Sequence, residues 1–218
     1  MKAVILGASG LTGSFLTQQL IADEKFTEIV ALTRRHLNIQ SPRLTNHVVD
    51  FSKPEQWAGY VVGDVLFLCM GTTRRDAKSK KAQYEVDYTF QYQAAKAAKN
   101  NGVTSCVIVS SMGANAKSFF FYTRMKGELD ERIRLMEFDN YVILRPGQIE
   151  GKRHKPRLAE TIAVSIMHCM NSFGILSKYT PIHAQKLATA MINGALLGSG
   201  TQVFTLHEVH QLSEKTSP

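Results

Sequence analysis

Cysteine is scarce, tryptophan nearly absent and acid outnumbered: 218 residues hold three cysteines, one tryptophan, and 18 Asp and Glu against 26 Lys and Arg. Cys69, Cys106 and Cys169 are odd in number and each sits in an apolar run, which excludes a disulfide framework and predicts buried free thiols in a reducing compartment. No stretch approaches the roughly 18 apolar residues of a membrane span. The first apolar run, Ala3 to Leu6, is too short for a signal peptide and is broken at once by Gly7. These absences predict a cytoplasmic protein with no membrane partner. The seven histidines show no paired ligand spacing and the cysteines no zinc pattern, so no metal site is predicted. The net charge of +8 favours anionic company, yet the clusters at Arg34-Arg35, Arg74-Arg75, Lys78 to Lys81 and Lys152 to Arg157 lack the interleaved aromatics of a nucleic-acid groove. A small-molecule substrate is the expected partner, and a nucleic acid is not.

What is present is an alternation of strand-like and helix-like periods. The apolar run Ala3 to Leu6 leads through a glycine turn into the helical pattern LTGSFLTQQLIAD. Further strand-like runs cover Glu28 to Leu32, His47 to Phe51, Asp64 to Met70, Ser105 to Ser110 and the segment YVILRP. Helical spacing fills residues 81–100, closed by Asn101-Gly102, and about 120–136. Continuous Val, Ile and Leu runs suit parallel strands covered by helices on both faces, so the fold class is α/β with a doubly wound parallel sheet. Beyond Gly147 the alternation weakens into a basic loop, helices near 158–171 and 181–197, and a short strand QVFTL. The chain therefore reads as one domain over residues 1–218, with 147–205 supplying a small substrate-facing cap.

Gly7, Gly10 and Gly13, with Ser9, Leu11 and Thr12 between them, follow a strand and open a helix. In that context Gly7 permits a tight turn, Gly10 a close backbone approach to phosphates and Gly13 close helix–strand packing, while the helix N-terminus faces the pyrophosphate of a dinucleotide. About 20 residues on, where an acid takes the ribose hydroxyls of NAD, the chain offers Thr33, Arg34 and Arg35. Guanidinium groups suit the 2'-phosphate of NADP, so NADP(H) is expected in preference to NAD(H).

Tyr122 and Lys126 stand four residues apart on one helix face, and Ser110 and Ser111 end the preceding strand. A phenol is a poor base near neutral pH unless positive charge lies beside it, which a neighbouring ammonium provides. GASGLTG, LTRR, VVDF, CMGTTRRDAKSK, VSSMGANAKSFFFYTRMKGELDE and VILRPGQIEG together resemble the short-chain dehydrogenase/reductase superfamily, in its short atypical branch of bacterial oxidoreductases and Tat-interacting-protein relatives. The resemblance implies a Rossmann fold. It further implies that Tyr122 exchanges a proton with a carbonyl or alcohol, that Ser110 or Ser111 steadies the oxygen, and that Lys126 holds the ribose. Ser110 lies nearer the family's usual spacing from the tyrosine. Asp50 and Phe51 are implied beside the adenine, Cys69, Met70, Gly71 and Thr72 along the cofactor, and Pro146 beside the nicotinamide; for Cys69 core packing is the alternative.

The chain departs from its relatives at Lys186, where an acid is usual, and in its basic segment after Gly147. The expected function is NADP-dependent hydride transfer to or from a small carbonyl or alcohol. The alternatives are an NADPH-binding redox sensor without turnover and, with a cap of this size less favoured, a nucleotide-sugar epimerase or dehydratase. Either a monomer or a homodimer is compatible with the sequence.

Overall fold

The computed structural model describes residues 1–151 and 180–215. Its elements run β1 (Lys2–Leu6), α1 (Leu11–Ala22), β2 (Glu28–Thr33), β3 (Leu44–Val48), α2 (Pro54–Trp57), β4 (Val65–Leu68), α3 (Arg74–Ala77), α4 (Lys80–Tyr84), α5 (Phe90–Asn100), β5 (Ser105–Val109), α6 (Phe121–Arg134) and β6 (Asn140–Arg145). They continue as β7 (Ile149–Glu150), β8 (Ile182–His183), α7 (Ala184–Ala195), β9 (Gly200–Thr205) and α8 (His207–Glu214). Seven parallel strands form one sheet in the order β3-β2-β1-β4-β5-β6-β9, and β7 pairs with β8 apart from it.

The sheet is built as the continuous apolar runs require. Ala3 to Leu6 and Val65 to Leu68 are wholly buried, because both faces of the central strands are covered. On one face Leu16 and Leu20 of α1, Leu187 and Met191 of α7, and Val209 and Leu212 of α8 close over Ile5 and Phe67. On the other, Trp57, Ala94, Ala98, Leu129 and Ile133 close over Leu6, Leu66 and Cys106. The chain winds outward through β1, β2 and β3, then returns past β1 to lay down β4. The strand order thus reverses between β1 and β4, and open α/β sheets bind ligands in the crevice beyond the carboxyl ends at such a point.

Three expectations are corrected. The third strand is Leu44–Val48 rather than His47 to Phe51: Val49 still bonds to the Thr33 carbonyl, but the chain then turns and inserts Phe51 between Trp57 and Phe90. Residues 81–100 are not one α-helix; a π-helical turn, Glu85–Thr89, separates α4 from α5. The last strand and the helix before it are not cap, since β9 pairs with β6 along its whole length and α7 packs in the main core. The basic segment Lys152 to Arg157, the helix near 158–171 and Cys169 lie outside the described residues.

Candidate functional site

The glycine turn adopts the geometry its spacing predicts. Gly7 has φ of 96°, in the left-handed region, and its carbonyl accepts the Gly10 amide at 2.8 Å. A Cβ at Gly7 would lie 2.6 Å from the Cys69 carbonyl carbon, so the backbone leaving β4 is pressed directly onto the turn. Gly10 caps α1 with extended backbone, no side chain caps the helix, and its first turn contains no acid. The end of α1 therefore keeps its amide N–H groups and positive dipole for an anion. A Cβ-free cradle in front of an uncapped helix fits a pyrophosphate. Leu11 is half-buried, Thr12 is buried and Ser9 is exposed beside this end.

Arg34 and Arg35 leave β2 exposed, and among the described residues neither guanidinium pairs with a carboxylate. Asp50 is exposed, and the Ser52 hydroxyl and amide that it accepts, at 2.7 and 3.0 Å, hold its carboxyl below the usual range. Phe51 gives its side chain to the core, so only its backbone is available to border an adenine. Cys69, half-buried, donates its thiol to the Leu6 carbonyl at 3.1 Å, and desolvation pushes it up to about 12, which keeps it a thiol at neutral pH. Met70, Gly71 and Thr72 follow; the Thr72 amide is held at 2.9 Å by Asp87, a buried acid in the π-helical turn.

At the next strand, Lys126 is 3% exposed and donates to the Val109 carbonyl at 2.9 Å, which fixes its ammonium at the carboxyl end of β5. Tyr122, one turn earlier on α6, is 41% exposed. The loop between β5 and α6 lies directly on that helix: a Cβ at Gly127 would collide with Asn115 and Ala116, and the Asn115 amide donates to the Thr123 carbonyl at 3.0 Å. Met112 donates to the Pro146 carbonyl at 3.0 Å, which draws the ends of β5 and β6 together.

The two serines part company. Ser110 is buried and donates its hydroxyl to Asp130 Oδ2 at 2.8 Å. The same oxygen accepts Arg145 Nη2 at 2.9 Å and Nε at 3.2 Å. Burial pushes the Asp130 carboxyl above the ordinary range, and the Ser110 hydroxyl, the Lys126 ammonium and the Arg145 guanidinium counter that without reversing it. Ser111 is half-buried, with one long bond of 3.3 Å from its hydroxyl to the Met112 carbonyl. Asp87 and Asp130 were missed in the sequence. For Asp130 a signal existed, since it lies four residues after Lys126 on the same helix face.

The other marked segments are surface structure. Thr73 and Ser79 cap α3 and α4, which carry the cations of residues 74–81 into solvent. Lys186 pairs with Glu214 at 3.4 Å, so the departure from the usual acid is answered on α8. A shallow groove of about 470 Å³ lies between α4 and the start of α6, lined by Lys80, Tyr84, Glu85 and Phe121 among others, and includes none of the glycine turn.

Against known proteins, the family described as NAD(P)H-binding matches residues 7–163. Protein FMP52, mitochondrial, of Candida albicans is 36% identical over 204 residues, covering 91% of this chain and 89% of its own. The FMP52 protein of Kluyveromyces lactis is 38% identical over 158 residues, 71% of this chain and 70% of its own. Among solved structures, UDP-glucose 4-epimerase from Thermotoga maritima superposes with a TM-score of 0.72 at 14% identity, covering 98% of this chain and 82% of that one. UDP-glucuronic acid 4-epimerase from Bacillus cereus, in complex with UDP-glucuronic acid and NAD, gives 0.70 at 15% identity over 94% of this chain and 77% of that one. At such identities the likeness is one of fold. The expectation of a cytoplasmic location is corrected by the relatives, which are named mitochondrial. Free thiols do not separate the cytosol from an organelle. With a Rossmann sheet, a phosphate-ready glycine turn and a family match across residues 7–163, the chain belongs to the NAD(P)H-binding family.

Proposed function

We propose that the protein is an NADP(H)-dependent oxidoreductase that interconverts a small carbonyl compound and its alcohol. The observation that carries the reading is the position of Lys126, buried on α6 with its ammonium at the end of β5, one helical turn from the half-exposed Tyr122. When bound, the cofactor would supply hydride as NADPH in reduction and take it up as NADP+ in oxidation. Tyr122 gives its phenolic proton to the substrate oxygen in reduction and recovers one in oxidation. Ser111, whose hydroxyl is not committed to Asp130, steadies the substrate oxygen, whereas Ser110 maintains the strand end. The preference for the 2'-phosphate is supported by Arg34 and Arg35, exposed where NAD sites carry an acid.

Calorimetric titration with NADPH and NADH tests the cofactor. Wild-type protein is expected to prefer NADPH, and Arg34→Ala with Arg35→Ala is expected to weaken NADPH at least tenfold while leaving NADH within about twofold, the loss of charge-assisted phosphate contacts. Failure of a well-folded protein to bind either nucleotide would overturn the whole reading.

The chemistry is tested once a carbonyl screen with NADPH oxidation yields a substrate. Tyr122→Phe keeps the ring and removes the transferable proton, so kcat should fall by roughly 100-fold or more with NADPH affinity unchanged. Ser111→Ala should lower kcat more than Ser110→Ala does. Full activity of Tyr122→Phe on that substrate would remove Tyr122 from the proton transfer.

A further inference from the structure

Arg34 and Arg35 are exposed, yet the backbone that carries them is held at both ends by one side chain. Asn46, on β3 opposite Ala31, donates its amide to Thr33 Oγ1 at 2.7 Å and to the Ala31 carbonyl at 3.1 Å. Its oxygen accepts the Leu37 amide at 2.9 Å. Thr33, buried at the end of β2, passes the constraint on by donating its hydroxyl to the Arg35 carbonyl at 2.8 Å. Residues 34 to 36 thus span two anchors, Thr33 and Leu37, both fastened to Asn46, with a third bond to the Arg35 peptide between them. Arginine loses much side-chain freedom when it engages a ligand, so a backbone fixed in advance lowers the ordering cost that a phosphate contact must overcome.

We infer that Asn46 and Thr33 form a clamp that determines cofactor selectivity by presenting Arg34 and Arg35 to the 2'-phosphate of NADP(H). This rests on the cofactor preference proposed above and adds to it two positioning residues that carry no charge and touch no phosphate. The clamp acts only through the guanidinium groups. It therefore matters to the nucleotide that has a 2'-phosphate and is silent toward the one that lacks it.

The test is calorimetric titration of Asn46→Ala, Thr33→Val and Thr33→Ser with NADPH and with NADH, each variant checked by its thermal midpoint. Asn46→Ala removes every bond that the amide makes, Thr33→Val removes the hydroxyl at nearly constant shape, and Thr33→Ser retains it. NADPH affinity is expected to fall about tenfold in Asn46→Ala and Thr33→Val and to stay near wild type in Thr33→Ser, with NADH affinity within about twofold throughout. Placed in an Arg34→Ala, Arg35→Ala background, Asn46→Ala should cause no further loss of NADPH affinity. Equal losses for both nucleotides, or no loss for NADPH, would overturn the clamp while the arginine reading stands. If the arginine variants themselves bind NADPH like the wild type, the cofactor reading fails and the clamp fails with it. Should Asn46→Ala not fold, the Thr33→Val and Thr33→Ser pair decides the question.

Discussion

Gly13→Ala is expected to bring NADPH affinity down by at least 100-fold and to lower the thermal midpoint by several degrees. A Cβ at Gly13 would overlap the Gly7 carbonyl oxygen and stand 2.7 Å from its carbon and 2.9 Å from Ala8 Cα. These are backbone atoms, so no change of rotamer relieves the clash. The turn cannot retreat either, because Gly7 is pressed against the Cys69 and Met70 backbone on its far side. The first turn of α1 must therefore move away from β1. Overpacking of this kind costs about 1–3 kcal/mol, and in a chain of this size each kcal/mol lowers the midpoint by roughly 2–4 °C. The binding loss is larger than the stability loss because displacing α1 moves several phosphate-facing amides together. Gly59→Ala is the matched control: a Cβ there meets nothing within 4 Å, so both readouts should stay at the wild-type value. A Gly13→Ala protein that bound NADPH normally would show that close approach of α1 to the turn is not needed for the nucleotide.

The elements most legible in the sequence are those whose environment leaves a local trace. Ala3 to Leu6 and Val65 to Leu68 are buried on both faces, and an unbroken apolar run is the local trace of that environment. The glycine turn was legible for a related reason, since positive φ at Gly7 and tight packing at Gly13 are demands that only glycine meets. The edge strand defeated the same logic. Leu44–Val48 is half exposed and partly polar, whereas the more apolar Val49 and Phe51 beyond it drew the expected strand too far along the chain. The π-helical turn left no mark on the helical period of residues 80–100. Nor is the membership of β9 in the main sheet a local property, as its partner Asn140 lies far from Gly200 in the chain. The same limit explains the polar residues that were missed. Asn46 and Asp130 matter because tertiary pairing sets an amide beside Thr33 and a carboxylate beside Ser110 and Arg145. The two adjacent serines could not be told apart until that pairing showed which one was already bound.

That pairing predicts the second large effect, in Asp130→Ala. The carboxylate is fully buried, and its Oδ2 serves donors from β6 and from the residue after β5, so it ties α6 to two adjacent strands. Tyr141 adds a bond from its hydroxyl to the Asp130 carbonyl at 3.3 Å, which leaves the helix backbone partly anchored when the side chain is removed. What the variant loses is the common acceptor: the Ser110 hydroxyl is left buried without it, and the Arg145 guanidinium without its counter-charge. Breaking a buried pair from one side costs about 3–5 kcal/mol, which corresponds to a midpoint lowered by roughly 6–20 °C in a chain of this length. The cost belongs to the stranded partners more than to the absent carboxylate. Asp130→Ala combined with Arg145→Met should therefore recover part of the loss, and the double-mutant cycle should return a coupling of at least 1 kcal/mol, the range seen for residues in one network. Additive losses in the double variant would show instead that Asp130 and Arg145 support α6 independently. Because Lys126 lies one turn from Asp130 and is held by the carbonyl next to Ser110, Asp130→Ala should also weaken NADPH binding, and the double variant should regain part of that affinity along with stability.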